Sequence, residues 1–275
     1  MDATARLGDD GFVVLRDVFE SALLSDEFDH VLRAAFHDAT HRNNGPVENR
    51  FRYVPAMSRR TPVSLALSET CSRTATMLLG TAVLPGRAKC TEYHDATGSH
   101  RDSELAIRSL GFLAYLEPLT ADTGALRVLP GSHRGVGDTA IGTRANDEAE
   151  SRFVTVTTMP GDIIVMDEHL LHASVGGTIR RQWRVDFVAD EPPHSEEPHS
   201  HAADTNDPDK SDVLRRYFAG QYSAGWDGGY DVDLFPSYGP DWRTLYPHWS
   251  ERLCALGVYD AVEAEEAFSR AARRR

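Results

Sequence analysis

His100 and Asp102 stand two positions apart in TGSHRDSE (97–104), and His169 and His172 follow in MDEHLLHAS (166–174). Two imidazoles and one carboxylate form the donor set of a non-haem ferrous centre. They cap one face of an octahedron and leave three positions for a chelating oxo-acid and O2. Spacing alone is weak evidence, because a chain with this many histidines and acids gives about two His-x-Asp/Glu pairs by chance. Two are present; the other, His194 to Glu196, lies in a Pro-rich acidic stretch with no rigid frame for a metal. Order adds what spacing lacks. A Pro-Gly-Asp turn and an apolar run precede His169 and His172, a small-residue loop follows, and Arg180 and Arg181 open the next strand. A cation there suits the far carboxylate of an oxo-acid.

These residues need strands to bring them together. AVLPGRAKCTEYHD, SLGFLAYLEPL, GALRVLPGS, RFVTVTTMPGD, DIIVMDE and RQWRVDFVAD are short runs, several rich in β-branched or aromatic residues, separated by turn-forming glycines and prolines. The pattern predicts an antiparallel sandwich or barrel. Ahead of it, DGFVVLRDVFE reads as a short β run and a turn. Apolar residues at helical spacing predict helices over SALLSDEFDHVLRAAFHD and over 62–79, the latter opened by Pro62 and closed by Gly80. The expected fold is α+β and one domain over 1–275, with a barrel core at about 80–190 and the helices outside it. A mobile acidic loop is expected at about 190–212 and a C-terminal, partly helical extension at about 213–275, with an aromatic cluster between 217 and 249. The loop at 43–60 and the insert after 190 are expected to border the substrate pocket.

Composition narrows the function. With 41% apolar residues among 275, the chain can bury a substantial core. Three cysteines far apart, outside any Cys-x-x-Cys pattern, suggest neither a disulfide framework nor a thiolate zinc site. A formal charge of −13 argues against nucleic acid as a partner. No apolar stretch is long enough for a membrane span, and the first residues lack a signal-peptide pattern, so a cytoplasmic protein acting on a small molecule is expected. Monomer and homodimer both stay open.

Three blocks carry a resemblance. TGALRVLPGSHR (123–134), MPGDIIVMDEHLLHAS (159–174) and the opening DGFVVLRDVFE (10–20) resemble, in order, the phytanoyl-CoA dioxygenase family of Fe(II)/2-oxoglutarate-dependent oxygenases, over about residues 10–190. The resemblance implies a double-stranded β-helix of the jelly-roll or cupin-like kind, with Fe(II), 2-oxoglutarate and O2 as cofactor and co-substrates. It implies His100, Asp102 and His172 as metal ligands and catalytic centre, His172 rather than His169 because it precedes Ala-Ser. Ser174 and Arg180 match the family's groups for the 2-oxoglutarate C5 carboxylate, with Arg181 as fallback. Lys89 or Tyr93, on the strand leading into His-x-Asp, are placed to reach the C1 carboxylate. His133 reads as structural, bonding backbone.

The implied reaction is oxidation of a substrate C–H bond, with hydroxylation, desaturation and ring closure all open. Halogenation is disfavoured, since related halogenases lack the carboxylate that Asp102 supplies. The acidity of the chain suits an acyl-CoA poorly and a polar natural-product intermediate better. Two rivals are a non-catalytic barrel that binds a metabolite and a zinc hydrolase using the same triad.

Overall fold

The computed structural model describes residues 2–42, 51–57, 59–86, 88–94, 96–135, 151–175, 177, 179–190, 213–218 and 247–255. A short helix, α1 (Ala3–Asp10), precedes the first strand. It was not apparent in the sequence because only Leu7 of its eight residues is buried. Gly11 ends it at φ +82°, returning its N–H to the Leu7 carbonyl. A side chain at Gly11 would also strike the His133 ring, 2.5 Å from Nδ1.

The chain continues through β1 (Phe12–Leu15), α2 (Ser21–Arg42), β2 (Phe51–Pro55) and α3 (Pro62–Leu79). Helix α3 follows the predicted boundaries, from Pro62 to the left-handed Gly80. Thr61 makes no side-chain cap. Instead Glu27 of α2 accepts the Val63 and Ser64 N–H groups at 2.7 and 2.8 Å, so one helix satisfies the otherwise orphaned donors of the other. Strand β2 corrects the expectation of a loop through 43–60. The flanking Asn, Gly and Pro residues hid a run that pairs with β4 from Phe51 to Pro55.

Nine further strands follow: β3 (Val83–Pro85), β4 (Lys89–Tyr93), β5 (Thr97–His100), β6 (Ser109–Tyr115), β7 (Leu126–Val128), β8 (Val154–Val156), β9 (Ile163–Asp167), β10 (His172–Ser174) and β11 (Arg180–Ala189). They form two antiparallel sheets. The larger runs β1-β9-β6-β11-β4-β2, with β3 also on β11, and the smaller runs β5-β10-β7-β8. The expected barrel region thus also recruits β1 and β2 from the N-terminal part.

Period-two alternation divides the core. On β6, Phe112 and Ala114 face the helices while Leu113 and Tyr115 face the smaller sheet; on β9, Ile163 and Val165 divide likewise from Ile164 and Met166. One apolar cluster therefore joins α1–α3 to the large sheet, and a second fills part of the space between the sheets. The helix layer is pinned to β11 by the Trp183 indole, which donates to Ser64 Oγ at 2.6 Å. Leu214, Tyr217, Phe218, Trp249 and Leu253 join the helix-side cluster, from a helical segment at 213–218 and the helix Pro247–Ala255. The expected acidic loop, and most of the aromatic cluster, lie outside the described residues. Among the described residues no helix is long and apolar enough to cross a membrane.

The Pro-Gly-Asp turn before β9 closes on the end of β1. Asp162 accepts from Met159 N at 2.9 Å, Asp17 N at 3.1 Å and Arg16 Nη1 at 2.6 Å. Burial opposes its charge, but these donors outweigh burial and hold its pKa below the usual carboxylate value. Asp162→Asn is expected to cost about 1–3 kcal/mol at neutral pH, because one carboxamide cannot satisfy three donors. A depressed pKa stabilises above the unfolded value near ~3.9 and loses that contribution as pH falls through the folded one. Urea titrations should therefore show wild type and variant converging as the pH drops below about 4.

Candidate metal centre

The small sheet supplies the imidazoles. His100 on β5 and His172 on β10 are direct cross-strand partners, with ring centroids 4.3 Å apart. His100 Nδ1 lies 2.7 Å from the Gly98 carbonyl and His172 Nδ1 2.9 Å from the Leu170 carbonyl. Each ring thus donates Nδ1–H to backbone and leaves the Nε2 lone pair free, the tautomer a metal-binding histidine needs. Asp102 follows β5 and is held by backbone. Its N–H and that of Ser103 donate to the Glu168 carbonyl at 2.9 and 3.1 Å.

The Asp102 carboxylate sits between the rings, with Oδ1 3.6 Å from His100 Nε2 and Oδ2 3.6 Å from His172 Nε2. One ligand atom from each of the three residues lies within 4.8 Å of the others. Among the described residues no other His, Cys, Asp or Glu group converges in this way. Two neutral nitrogens and a carboxylate oxygen at this separation fit a divalent first-row ion.

Electrostatics act differently on the three donors. Burial disfavours the Asp102 anion, but Arg184 and the two imidazoles outweigh it and hold the pKa well below the ordinary value. Burial pushes the His172 pKa down against the pull of Asp102, which favours the neutral ring. For His100, burial also disfavours the cation, but Asp102 and the Gly98 carbonyl more than offset it and the pKa rises.

The triad opens into a cavity of about 380 Å³ between the sheets, also lined by Lys89, Tyr93, Ser174, Arg180, Gln182 and Arg184. Arg180 is 2% exposed. Its Nη1 donates to the Gly124 carbonyl at 2.9 Å, and Ser174 Oγ donates to the same oxygen at 3.2 Å, so the two side chains converge. The Arg180 guanidinium carbon lies 5.5 Å from the Tyr93 ring centroid. Tyr93 donates to Gln182 Oε1 at 3.4 Å, and Gln182 Nε2 donates to Tyr115 Oη at 2.7 Å. Lys89 pairs with Asp186 at 3.3 Å.

Arg181 does not line the cavity. It turns to the other face of β11, where Nε meets Glu117 and Nη1 meets Asp29, each at 2.5 Å. Alternation is the reason, and the sequence held the signal. Trp183, Val185 and Phe187 share the parity of Arg181 and are core residues, whereas Gln182, Arg184 and Asp186 share that of Arg180.

His169 also stays outside the triad, between Asp167 Oδ1 at 2.9 Å and the Leu105 carbonyl at 2.7 Å. Burial opposes its cation, but these two acceptors prevail and raise its pKa. His133 bonds backbone as expected, its Nε2 3.3 Å from the Gly8 carbonyl of α1. Arg101, between His100 and Asp102 in sequence, also lines the cavity, while its Nη1 donates to the backbone carbonyls of Ser132 and His169. Ser132 Oγ accepts the Leu171 N–H at 2.8 Å, so the LPGSH block braces the approach to His172.

The sequence reading missed the residues behind the triad. Arg184 meets Asp102 Oδ2 at 2.7 Å, Asp186 Oδ1 at 2.5 Å and Glu168 Oε1 at 3.2 Å. The polar face of β11 could have revealed Arg184 and Asp186, but nothing local marks Glu168.

A sequence profile of the phytanoyl-CoA dioxygenase family matches residues 7–181. The chain belongs to that family. Its members use Fe(II), 2-oxoglutarate and O2, and the donor set found here fits that metal. The match covers α1 to the start of β11 and includes the whole triad. No curated protein matches the sequence.

Solved structures extend the likeness at the level of the fold. AviO1 from Streptomyces viridochromogenes Tue57 is 20% identical with a TM-score of 0.55, over 70% of this chain and 96% of its own. EvdO2 from Micromonospora carbonacea var. aurantiaca, complexed with 2-oxoglutarate, is 19% identical with a TM-score of 0.52, over 71% and 94%. SnoN, an epimerase from nogalamycin biosynthesis solved with Fe3+, alpha ketoglutarate and nogalamycin RO, is 16% identical with a TM-score of 0.52, over 73% and 93%.

Proposed function

We propose that this chain is an Fe(II)/2-oxoglutarate dioxygenase that oxidises a C–H bond of a small, polar molecule. We also read its two sheets as the halves of a double-stranded β-helix. One observation carries the reading: the His-Asp-His cluster and the Arg180–Ser174 pair face one cavity of about 380 Å³. That size lies at the small end of the ~300–1,000 Å³ range of ligand sites.

His100, Asp102 and His172 would hold the iron. With 2-oxoglutarate and O2 the bound metal supplies C–H oxidation, releasing succinate and CO2. The protein's own residues bind, orient and shield. Arg180 and Ser174 supply N–H and O–H donors for the distal carboxylate of 2-oxoglutarate, and burial strengthens that pairing. Tyr93 orients Arg180 through its ring. Tyr115, whose oxygen already accepts from Gln182, keeps its own proton for an acceptor in the cavity. Lys89 stands on the same wall, steadied by Asp186, where it can serve the C1 carboxylate or the substrate.

The likeness to SnoN, solved with nogalamycin RO, supports tailoring of a natural product over turnover of an acyl-CoA. Succinate release should require Fe(II), 2-oxoglutarate and a free small molecule. A CoA thioester turned over far better than any free metabolite would refute the substrate class. An anaerobic visible band on mixing protein, Fe(II) and 2-oxoglutarate should distinguish this reading from zinc hydrolysis or metabolite storage. Ser174→Ala is expected to raise KM for 2-oxoglutarate about tenfold, the loss of one hydrogen bond to a charged group, with kcat nearly unchanged.

A further inference from the structure

Arg184 makes a contact that the metal reading does not need. Two imidazoles and one carboxylate oxygen fill a facial triad, and a carboxylate that chelated through both oxygens would close a fourth position. Arg184 Nη1 donates to Asp102 Oδ2 at 2.7 Å, the oxygen that also lies 3.6 Å from His172 Nε2, while Oδ1 faces His100 Nε2 at 3.6 Å and has no guanidinium on it. The guanidinium is itself fixed. Nε is held by Asp186 and Nη2 by Glu168, and all three side chains are buried.

The pair of Arg184 and Asp186 lies over Gly111, where a Cβ would come within 3.0 Å of Nη2 and 3.2 Å of the carboxylate. Glu168 is in turn held by the Tyr217 hydroxyl, which donates to Oε2 at 2.9 Å. Arg184, Asp186 and Tyr217 all lie beyond residue 181, where the family match ends.

We propose that Arg184 is a positioning residue that restricts Asp102 to one-oxygen ligation, and that Tyr217, acting through Glu168, couples the C-terminal segment to the metal centre. The alternative, that Arg184 only strengthens metal binding, has the wrong sign. A guanidinium beside a divalent cation repels it, so its removal relieves repulsion while freeing Oδ2 to chelate. What changes is the number of open positions. The proposal rests on the site being a ferrous centre.

Nitric oxide is the probe of the remaining position on the anaerobic Fe(II)–2-oxoglutarate form, titrated by visible absorption. Arg184→Gln is expected to bind Fe(II) and 2-oxoglutarate within about threefold of wild type, because the relieved repulsion offsets the lost orientation of Asp102, but nitric oxide about 10- to 100-fold more weakly, the range a changed outer-sphere partner costs in metal affinity or activity. Tyr217→Phe, which removes one hydroxyl and leaves the ion cluster in place, should shift nitric oxide affinity in the same direction by about threefold. It also carries the test if Arg184→Gln does not fold.

A folded Arg184→Gln with wild-type nitric oxide affinity overturns the proposal, as does one that loses Fe(II) itself. Tyr217→Phe indistinguishable from wild type overturns the C-terminal coupling. Wild-type protein that binds no Fe(II) defeats the reading of the site instead, so the two failures are separable.

Discussion

Asp102→Ala is expected to abolish succinate formation and to weaken Fe(II) binding by more than the ~10–100-fold that outer-sphere changes cost. The carboxylate is the only anion among the three donors and the centre of the cluster, within 3.6 Å of each imidazole Nε2. Its loss removes a ligand and the charge that offsets the cation. It also leaves Arg184 with Glu168 and Asp186 alone, so stability must be measured beside activity. Asp102→Asn supplies the control. The carboxamide oxygen can still accept from Arg184 while the ligand charge is gone, so a folded but inactive Asn variant assigns the loss to ligation. Isothermal titration with Fe(II) under anaerobic conditions and a succinate assay decide the matter. Retained turnover in either variant would refute the metal centre.

Arg180→Met has the second-largest expected effect, and it separates co-substrate binding from metal binding. Methionine keeps much of the side-chain length and burial but removes the guanidinium that donates to Gly124 beside Ser174. Losing one partner of a buried, hydrogen-bonded charge pair costs about 2–5 kcal/mol, hence a rise of about 30- to 4,000-fold in KM for 2-oxoglutarate. Fe(II) affinity should stay within about threefold, because Arg180 is not one of the three donors. Arg181→Met is the matched control on the opposite face of β11. Its partners are Glu117 and Asp29, so it should lower stability modestly and leave KM for 2-oxoglutarate unchanged. If the two variants exchanged these phenotypes, the assignment of the cavity face would be wrong.

The three residues of the cluster were legible because spacing, chain order and the family resemblance agreed on them. His100 and Asp102 show in their spacing, His172 in the turn, strand and Ala-Ser around it, and the helices α2 and α3 in their apolar period. The choice between Arg180 and Arg181 was written in the strand as well, since a one-residue difference sends a side chain to the other face. The charge network behind Asp102 was not legible. Glu168 reads as one more acid beside Asp167, and Tyr217 as one aromatic among many. Their significance arises only when the strand β11 and the segment 213–218 meet the loop after β9. Strand β2 and helix α1 were hidden for simpler reasons: turn-forming residues precede the first, and only Leu7 is buried in the second.

Alternation on β4 has one more outcome. Lys89, Thr91 and Tyr93 share one parity, and Lys89 and Tyr93 line the cavity, while Cys90 turns to the helix side and Cys71 of α3 is buried in the same layer. Burial drives both thiols upward in pKa, so neither supplies the thiolate through which sulfur is attacked. An oxidant escaping an uncoupled cycle would therefore meet no cysteine among the described residues that line the cavity, and the thiols of Cys71 and Cys90 lie on the far side of a sheet.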